Sequence, residues 1–253
     1  MSKKTSYSYV GIAFIILVFG ILVIPNIIDR FNSDDITRDG SRSKTVSTTK
    51  ISKKAINSDL VFIEINGVPK KVPTFSFTNQ NGETITNKDY LGKVYVVEFF
   101  FTTCPTICAP MNRNLVEIQN QFKDFKDFGV ASFSIMPKVD TPEVLKAYAE
   151  NYGVTNPNWN LMTGDPEGTF QLANVGFNIF VSDTQDDFGF EHSGDFALID
   201  KQGFIRSRKD DFGNPKIFYR GFIPEADGED EDGYVQEITI LKEDIAKLLN
   251  EYL

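Results

Sequence analysis

The sequence predicts an α/β fold with one central sheet, because segments typical of buried strands alternate with segments of helical period. The 253 residues are 41% hydrophobic and 24% charged, which is the composition of a globular protein. A further observation is a run without charged residues from Thr5 to Ile28. We therefore expect three zones, which are a membrane anchor at 1–30, a linker at 31–58 and a folded domain at 59–253.

Residues 1–30 predict an N-terminal transmembrane helix, because the uncharged run and its flanks reach the length of about 20 residues that spans a bilayer. Bulky residues follow the run where a signal peptidase needs small ones, which favours an uncleaved span over a cleaved signal peptide. Lys3 and Lys4 precede the span and acidic residues follow it, so the N-terminus is expected in the cytoplasm. This predicts a single-pass protein of the cell inner membrane whose soluble domain lies on the exported, periplasmic side. Residues 31–58 are polar and aperiodic, as in a flexible linker.

Within 59–253, β-branched and aromatic runs predict strands, and Gly, Asn and Asp between them predict turns. The expected strands or hairpins are at 60–65, 75–84, 93–101, 130–135 and 196–206. The run at 93–101 is almost continuously apolar, as in a strand that is buried on both faces.

Apolar residues at helical spacing predict four helices. They are expected after Cys108, at 141–152, from 165 onward, and from Ile238 to Tyr252. Thr141 and Pro142 suit an N-cap and a first helical turn. On this second helix, we expect the inward-facing residues to be Val144, Leu145, Tyr148 and Tyr152.

Composition excludes several classes of function. The formal net charge is −9 at pH 7, which argues against nucleic acid as a partner because phosphate binding needs clustered Lys and Arg. Two Cys are too few for a multi-disulfide scaffold or a Cys-rich structural zinc site. A single His excludes sites that need two imidazoles, such as those of HExxH metalloproteases.

The two cysteines, Cys104 and Cys108, follow the first buried strand where a helix is expected to start, as does the redox motif of thioredoxin-like proteins. Their spacing places both sulfurs on one face of a helical turn, and the helix N-terminus favours the thiolate, more strongly for Cys104 if it is the cap. Such a pair forms a disulfide or binds a soft cation such as Cu(I) or Zn(II). A purely structural disulfide would add little stability in so short a loop, so a functional pair is favoured.

His192 is the candidate third ligand, because it is the one imidazole in the chain. It precedes the strand expected from Phe196. In a thioredoxin-like sheet, the loop before this strand lies beside the cysteine loop. Imidazole suits copper in either oxidation state, whereas structural zinc usually takes four ligands and only three are evident here.

With these motifs the domain resembles the Sco/SenC family, thioredoxin-like copper proteins tied to assembly of the copper A centre of cytochrome c oxidase. The resemblance covers roughly residues 72–208 and the closing helix. It rests on segment 101–108, on the helix start Asp140-Thr141-Pro142-Glu143, and on His192 ahead of a Leu-Ile-Asp strand.

The resemblance implies a copper chaperone rather than an enzyme. One copper ion per chain, as Cu(I) or Cu(II), would bind Cys104, Cys108 and His192 and pass to the oxidase subunit that carries the copper A site. The alternative is a membrane-anchored thiol–disulfide oxidoreductase that reduces the cysteines of that site with the same Cys pair and no metal. A third hypothesis is a peroxidase of the peroxiredoxin type, in which a Thr and an Arg at motif spacing support the reactive cysteine. It is less favoured because Thr103 is present but Arg113 is the only Arg near the cysteines in sequence.

The sequence departs from the family pattern in several places. Ala109 stands where the family often has Pro, and Met136 stands where the family usually has the first Asp of Asp-Pro-x-x-Asp-Thr. Asp140, the second Asp of that pattern, is a candidate only for a role in supporting the three ligand residues. Residues 176–191 are longer than the pattern predicts, and the acidic segment 225–232 is most simply a solvated loop.

Overall fold

The computed structural model describes Phe19, residues 59–183 and residues 190–251. Across these residues, no helix is both long enough and apolar enough to cross a bilayer. The anchor expected at 1–30 and the linker expected at 31–58 fall outside the described residues, apart from Phe19. Both therefore stay predictions.

One mixed sheet of nine strands organises the domain, and three central neighbours in it run parallel. In chain order, the strands of the domain are β1 (Val61–Phe62), β2 (Glu64–Ile65), β3 (Val68–Pro69), β4 (Ser76–Asn79), β5 (Thr84–Thr86), β6 (Val94–Phe100), β7 (Phe128–Ser134), β8 (Trp159–Thr163), β9 (Val181–Asp183), β10 (Phe190–His192), β11 (Asp195–Ile199), β12 (Ile205–Ser207) and β13 (Tyr219–Arg220). The order across the large sheet is β1-β12-β11-β6-β7-β8-β4-β5, and β13 also pairs with β11. The pairs β2–β3 and β9–β10 form separate hairpins. The predicted α/β class with one central sheet is confirmed, and the sheet is mixed.

Four α-helices accompany the sheet in the described part of the chain. They are α1 (Cys108–Gln121), α2 (Pro142–Tyr152), α3 (Pro166–Gln171), which continues into a π-helical turn at Leu172–Phe177, and α4 (Ile238–Asn250). The predicted cap is present, since Thr141 accepts a hydrogen bond from the Val144 amide, and Asp165 caps α3 in the same way by accepting one from the Gly168 amide. At the other end of α2, Gly153 takes the left-handed conformation typical of a helix stop.

The centre of the sheet is covered on both faces, because every residue of β6 and β7 is buried. Aromatic rings fill much of the core around Phe133, whose ring centroid lies 5.1 Å from that of Phe75 and 5.2 Å from that of Phe77. This rigid centre carries the segments that follow β6 and β7.

Several expectations about single elements are wrong. The sequence does not predict β8, and the strand expected at 60–65 is divided into β1 and β2. Val144 is 38% exposed, because α2 packs through the stripe that contains Leu145 and Ala149. The helix that follows the cysteine loop starts at Cys108 with Ile107 as its N-cap, so the condition that Cys104 caps this helix is not met.

Asp140 joins the segments that follow the two central parallel strands. Its buried carboxylate accepts hydrogen bonds from the backbone amide of Thr102 at 3.2 Å, from the Thr102 hydroxyl, and from the Ser134 hydroxyl at 2.5 Å. Thr102 follows β6 and Ser134 ends β7. One carboxylate therefore connects the start of the cysteine loop to the next strand of the sheet.

We expect Asp140→Ala to destabilise the fold by about 3 kcal/mol, because the buried Ser134 hydroxyl and the partly buried amide and hydroxyl of Thr102 would lose their acceptor. The matched control is Asp124→Ala, which removes an exposed carboxylate and should change stability by less than about 0.5 kcal/mol. Urea unfolding of the full chain measures both values. Equal midpoints for the two variants would contradict this role of Asp140.

Candidate metal centre

The cysteine segment begins where β6 ends. A turn closed by the hydrogen bond from the Cys104 amide to the Phe101 carbonyl leads to Cys104, and Cys108 then forms the first residue of α1. Cys108 is 1% exposed, whereas Cys104 is only partly buried. The two thiols thus differ in their access to solvent and to other molecules.

His192 reaches the cysteines from the end of β10, in a hairpin in which it pairs with Val181. Its ring packs edge-on against Phe101, with 6.0 Å between the ring centroids. Two residues later, Gly194 has a positive φ of 72° and lies so close to the cysteine segment that a β-carbon there would come within 3.0 Å of the Ile107 side chain. A glycine at this position therefore permits the two segments to approach each other.

The structure brings together all three residues that the sequence nominates as ligands. The Nε2 atom of His192 lies 3.1 Å from the Sγ atom of Cys108, and the three potential donor atoms of Cys104, Cys108 and His192 all lie within 4.8 Å of one another. Two metal–sulfur bonds of about 2.3 Å each allow one ion to bridge donor atoms that lie up to about 4.6 Å apart. This is close to the largest separation among the three atoms, so one ion can contact all of them. Two thiols and an imidazole are the donor set that copper favours.

Hydrogen bonding makes the two thiols unequal acids. The Cys108 thiol stabilises the Cys104 thiolate and lowers the pKa of Cys104 far below its usual range, with a further contribution from His192. The same hydrogen bond, together with burial, raises the pKa of Cys108. Of the two thiols, the more accessible Cys104 is therefore the stronger acid.

Glu98 is a buried acid that the sequence reasoning did not select. It is fully buried in the middle of β6, where the Ser132 hydroxyl donates a 2.6 Å hydrogen bond to its Oε1 atom, and burial raises its pKa to about 7. Its negative charge also contributes to the raised pKa of Cys108. The sequence does contain a signal for Glu98, since it is the single acidic residue in an otherwise apolar strand.

The other residues considered from sequence lie elsewhere or have other roles. Arg113 is exposed on α1, and the Thr103 hydroxyl donates a hydrogen bond to the sulfur of Met136. Segment 176–191 includes β9 and the start of β10, which present His192. Segment 225–232 begins with a short 3-10 turn, in which Glu225 pairs with Lys242.

The middle of the chain matches a family model. The model described as SCO1/SenC matches residues 64–220. A SCO1 protein homolog of Bacillus subtilis is 31% identical over 137 residues, which are 53% of this chain and 71% of the relative.

Solved structures show the same fold. A SCO1/SenC family lipoprotein from Bacillus anthracis is 31% identical, with a TM-score of 0.57 over 71% of this chain and 95% of the other. A second structure is that of BsSco, a member of the Sco family of cytochrome c oxidase assembly proteins in which a disulfide switch was identified. It is 25% identical, with a TM-score of 0.56 over 72% of this chain and 94% of BsSco. Arabidopsis thaliana ScoI, which was solved with copper bound, is 21% identical, with a TM-score of 0.54 over 72% of this chain and 99% of ScoI. At this identity, the comparison shows only that the two folds are alike.

The family match spans more than half of the chain and includes both cysteines and His192. The fold agrees with that of the solved relatives, and the three side chains converge on one site. The chain therefore belongs to the SCO1/SenC family.

Proposed function

We propose that this protein binds copper through Cys104, Cys108 and His192 and delivers it to the copper A site of cytochrome c oxidase. The observation that carries the proposal is the convergence of two sulfurs and one imidazole nitrogen within 4.8 Å. These donors fit copper in both states, because thiolates favour Cu(I) and imidazole is a good ligand for Cu(II).

Copper is the cargo in this proposal, and the residues of the site hold and release it. Three ligands leave room for a donor from the receiving protein, so that the ion can move by stepwise ligand exchange. The partly buried Cys104 is the ligand that a partner reaches first, while the buried Cys108 stays against the protein core. The receiving partner is the oxidase subunit that carries the copper A site, in keeping with the family of oxidase assembly proteins to which BsSco belongs.

The second candidate function is reduction of the cysteines of the oxidase copper site. The difference in pKa between the two thiols favours this function. An accessible cysteine with a lowered pKa attacks disulfides readily, and a buried neighbouring cysteine can then resolve the mixed disulfide. In this reaction the Cys104 thiolate forms a bond to one sulfur of the partner disulfide, the S–S bond breaks, and the other sulfur leaves as a thiolate that takes up a proton from solvent. Cys108 then loses its proton and attacks Cys104, and the second partner sulfur leaves and takes up that proton. Both partner thiols are then reduced, and Cys104 and Cys108 are joined by a disulfide.

We also propose that residues 1–30 anchor the domain to the inner membrane, with residues 31–58 as a linker and the domain 59–253 on the periplasmic side. The uncharged run from Thr5 to Ile28 and the two lysines before it support this orientation.

The full chain should bind one copper ion, and the Cu(II) form should show thiolate-to-copper charge-transfer absorption. A Cys104→Ala, Cys108→Ala double variant should lose this binding, because it lacks both soft donors. Anaerobic titration with metal analysis measures the stoichiometry. The proposal fails if the full chain binds no copper or if the double variant binds it equally well.

His192→Ala separates the two candidate functions. We expect it to weaken Cu(II) binding strongly and to change the absorption spectrum, while Cu(I) is retained in part by the two thiolates. The disulfide between Cys104 and Cys108 should still form and be reduced at a similar rate, since disulfide exchange does not require an imidazole.

Oxidase assembly in cells that carry each variant then decides between them. A defect in His192→Ala as severe as that of the double cysteine variant supports copper delivery. Normal assembly with His192→Ala, together with failure of the cysteine variants, would replace copper delivery by thiol reduction.

The anchor can be tested by washing membranes that contain the full chain. The chain should remain in the membrane fraction after carbonate or high-salt extraction, because hydrophobic insertion does not depend on salt. Recovery of a shortened, soluble form that begins after Ile28 would show a cleaved signal instead.

A further inference from the structure

A methionine sulfur lies beside the cysteine loop, outside the set of three ligands. The Thr103 hydroxyl donates a hydrogen bond to the Sδ atom of Met136 at 3.8 Å, and Thr103 is the residue directly before Cys104. His192, by contrast, contacts the pair at Cys108. The Met136 sulfur therefore lies next to the residue that precedes Cys104, whereas the His192 imidazole contacts Cys108.

The backbone of Met136 is held firmly in place. Its amide donates to the Ser134 hydroxyl at 3.0 Å, and its carbonyl accepts from the amides of Val139 and Asp140, each at 2.9 Å. Because Asp140 also accepts hydrogen bonds from Thr102, the turn that carries Met136 and the loop that carries Cys104 are fastened to the same carboxylate. The proximity of Met136 to the cysteine loop is thus built into the fold.

Met136 also differs from the other methionines of the described residues. Met111 and Met162 are fully buried in the core, where methionine fills space between apolar side chains. Met136 is only partly buried and lines a small groove with Val139 and Phe170. Its thioether has a hydroxyl rather than an apolar group as its neighbour at the loop.

We propose that the thioether of Met136 is an additional ligand for Cu(I) on the Cys104 side of the metal centre; this inference rests on the proposed copper-binding function. A thioether is a soft donor that suits Cu(I), and it needs no deprotonation to bind a metal. The flexible methionine side chain can turn its sulfur from Thr103 towards the neighbouring Cys104. Copper then has a sulfur available as third ligand in the Cu(I) state and the imidazole of His192 in the Cu(II) state.

The first test compares copper affinities of the full chain, of Met136→Leu, and of the matched control Met162→Leu, which makes the same chemical change in the core. Competition with a chromophoric Cu(I) chelator should show Cu(I) binding weakened roughly tenfold in Met136→Leu, the lower end of the range for loss of a group that supports a metal site. The control should match the unaltered chain, and Cu(II) affinity should be the same in all three. Equal Cu(I) affinity of the two variants would overturn the proposal.

The second test observes the ligand directly. In selenomethionine-labelled full chain loaded with Cu(I), the X-ray absorption spectrum at the copper edge should contain a selenium neighbour, and Met136→Leu should remove it. Sulfur neighbours without selenium in the labelled chain would overturn the role of Met136 while leaving copper binding by the cysteines intact. A labelled chain that takes up no Cu(I) would instead contradict the proposed function itself, and the inference with it.

Discussion

The hydrogen bonds accepted by Asp140 hold the metal centre in its shape. Parallel strands end at the same edge of a sheet, but the segments that leave those ends are free to diverge unless something ties them together. Here the buried carboxylate binds Thr102, just after β6, and Ser134, at the end of β7. The loop that carries Cys104 and the turn that carries Met136 consequently start from one fixed point.

His192 arrives by a different route, through β10 and the approach of Gly194 to Ile107. The side chain is supplied by a hairpin that belongs to neither of the two strands that Asp140 joins. Because the ligands come from two separately positioned segments, the centre depends on the packing between them as well as on each segment. The same arrangement lowers the pKa of the accessible Cys104 and raises the pKa of the buried Cys108, and this difference suits both metal transfer and disulfide exchange.

The parts of the structure that local sequence predicts are those in which local chemistry decides the conformation. Thr141 and Gly153 mark the ends of α2 because capping is a local interaction, and β6 is recognisable because it is apolar throughout. Cys104, Cys108 and His192 could be nominated as ligands because the chain contains no other cysteine or histidine, but that they share one site was implied only by the resemblance to the Sco/SenC family.

The remaining features depend on contacts between distant residues. The strand β8 contains Asn160, whose amide group donates to Tyr90 and accepts from Asn79, so tertiary partners satisfy a polar residue that obscures the strand pattern. The contact between Met136 and Thr103 is likewise invisible in sequence, because a parallel strand pairing and one buried carboxylate bring their two segments together. Val144 is more exposed than expected. The spacing of apolar residues identifies the buried face of a helix only to within about one residue, so a residue at the edge of that face can turn towards solvent.

The most direct test of the copper centre uses the fact that the chain contains a single histidine. Labelling with nitrogen-15 histidine therefore labels His192 alone, and pulsed electron paramagnetic resonance of the Cu(II)-loaded full chain detects a nitrogen bound to the metal. We expect the label to change the nitrogen modulation pattern, and we expect the charge-transfer absorption of a copper thiolate in the same sample. A spectrum that the label leaves unchanged would show that copper binds without His192 and would contradict the Cys–Cys–His centre.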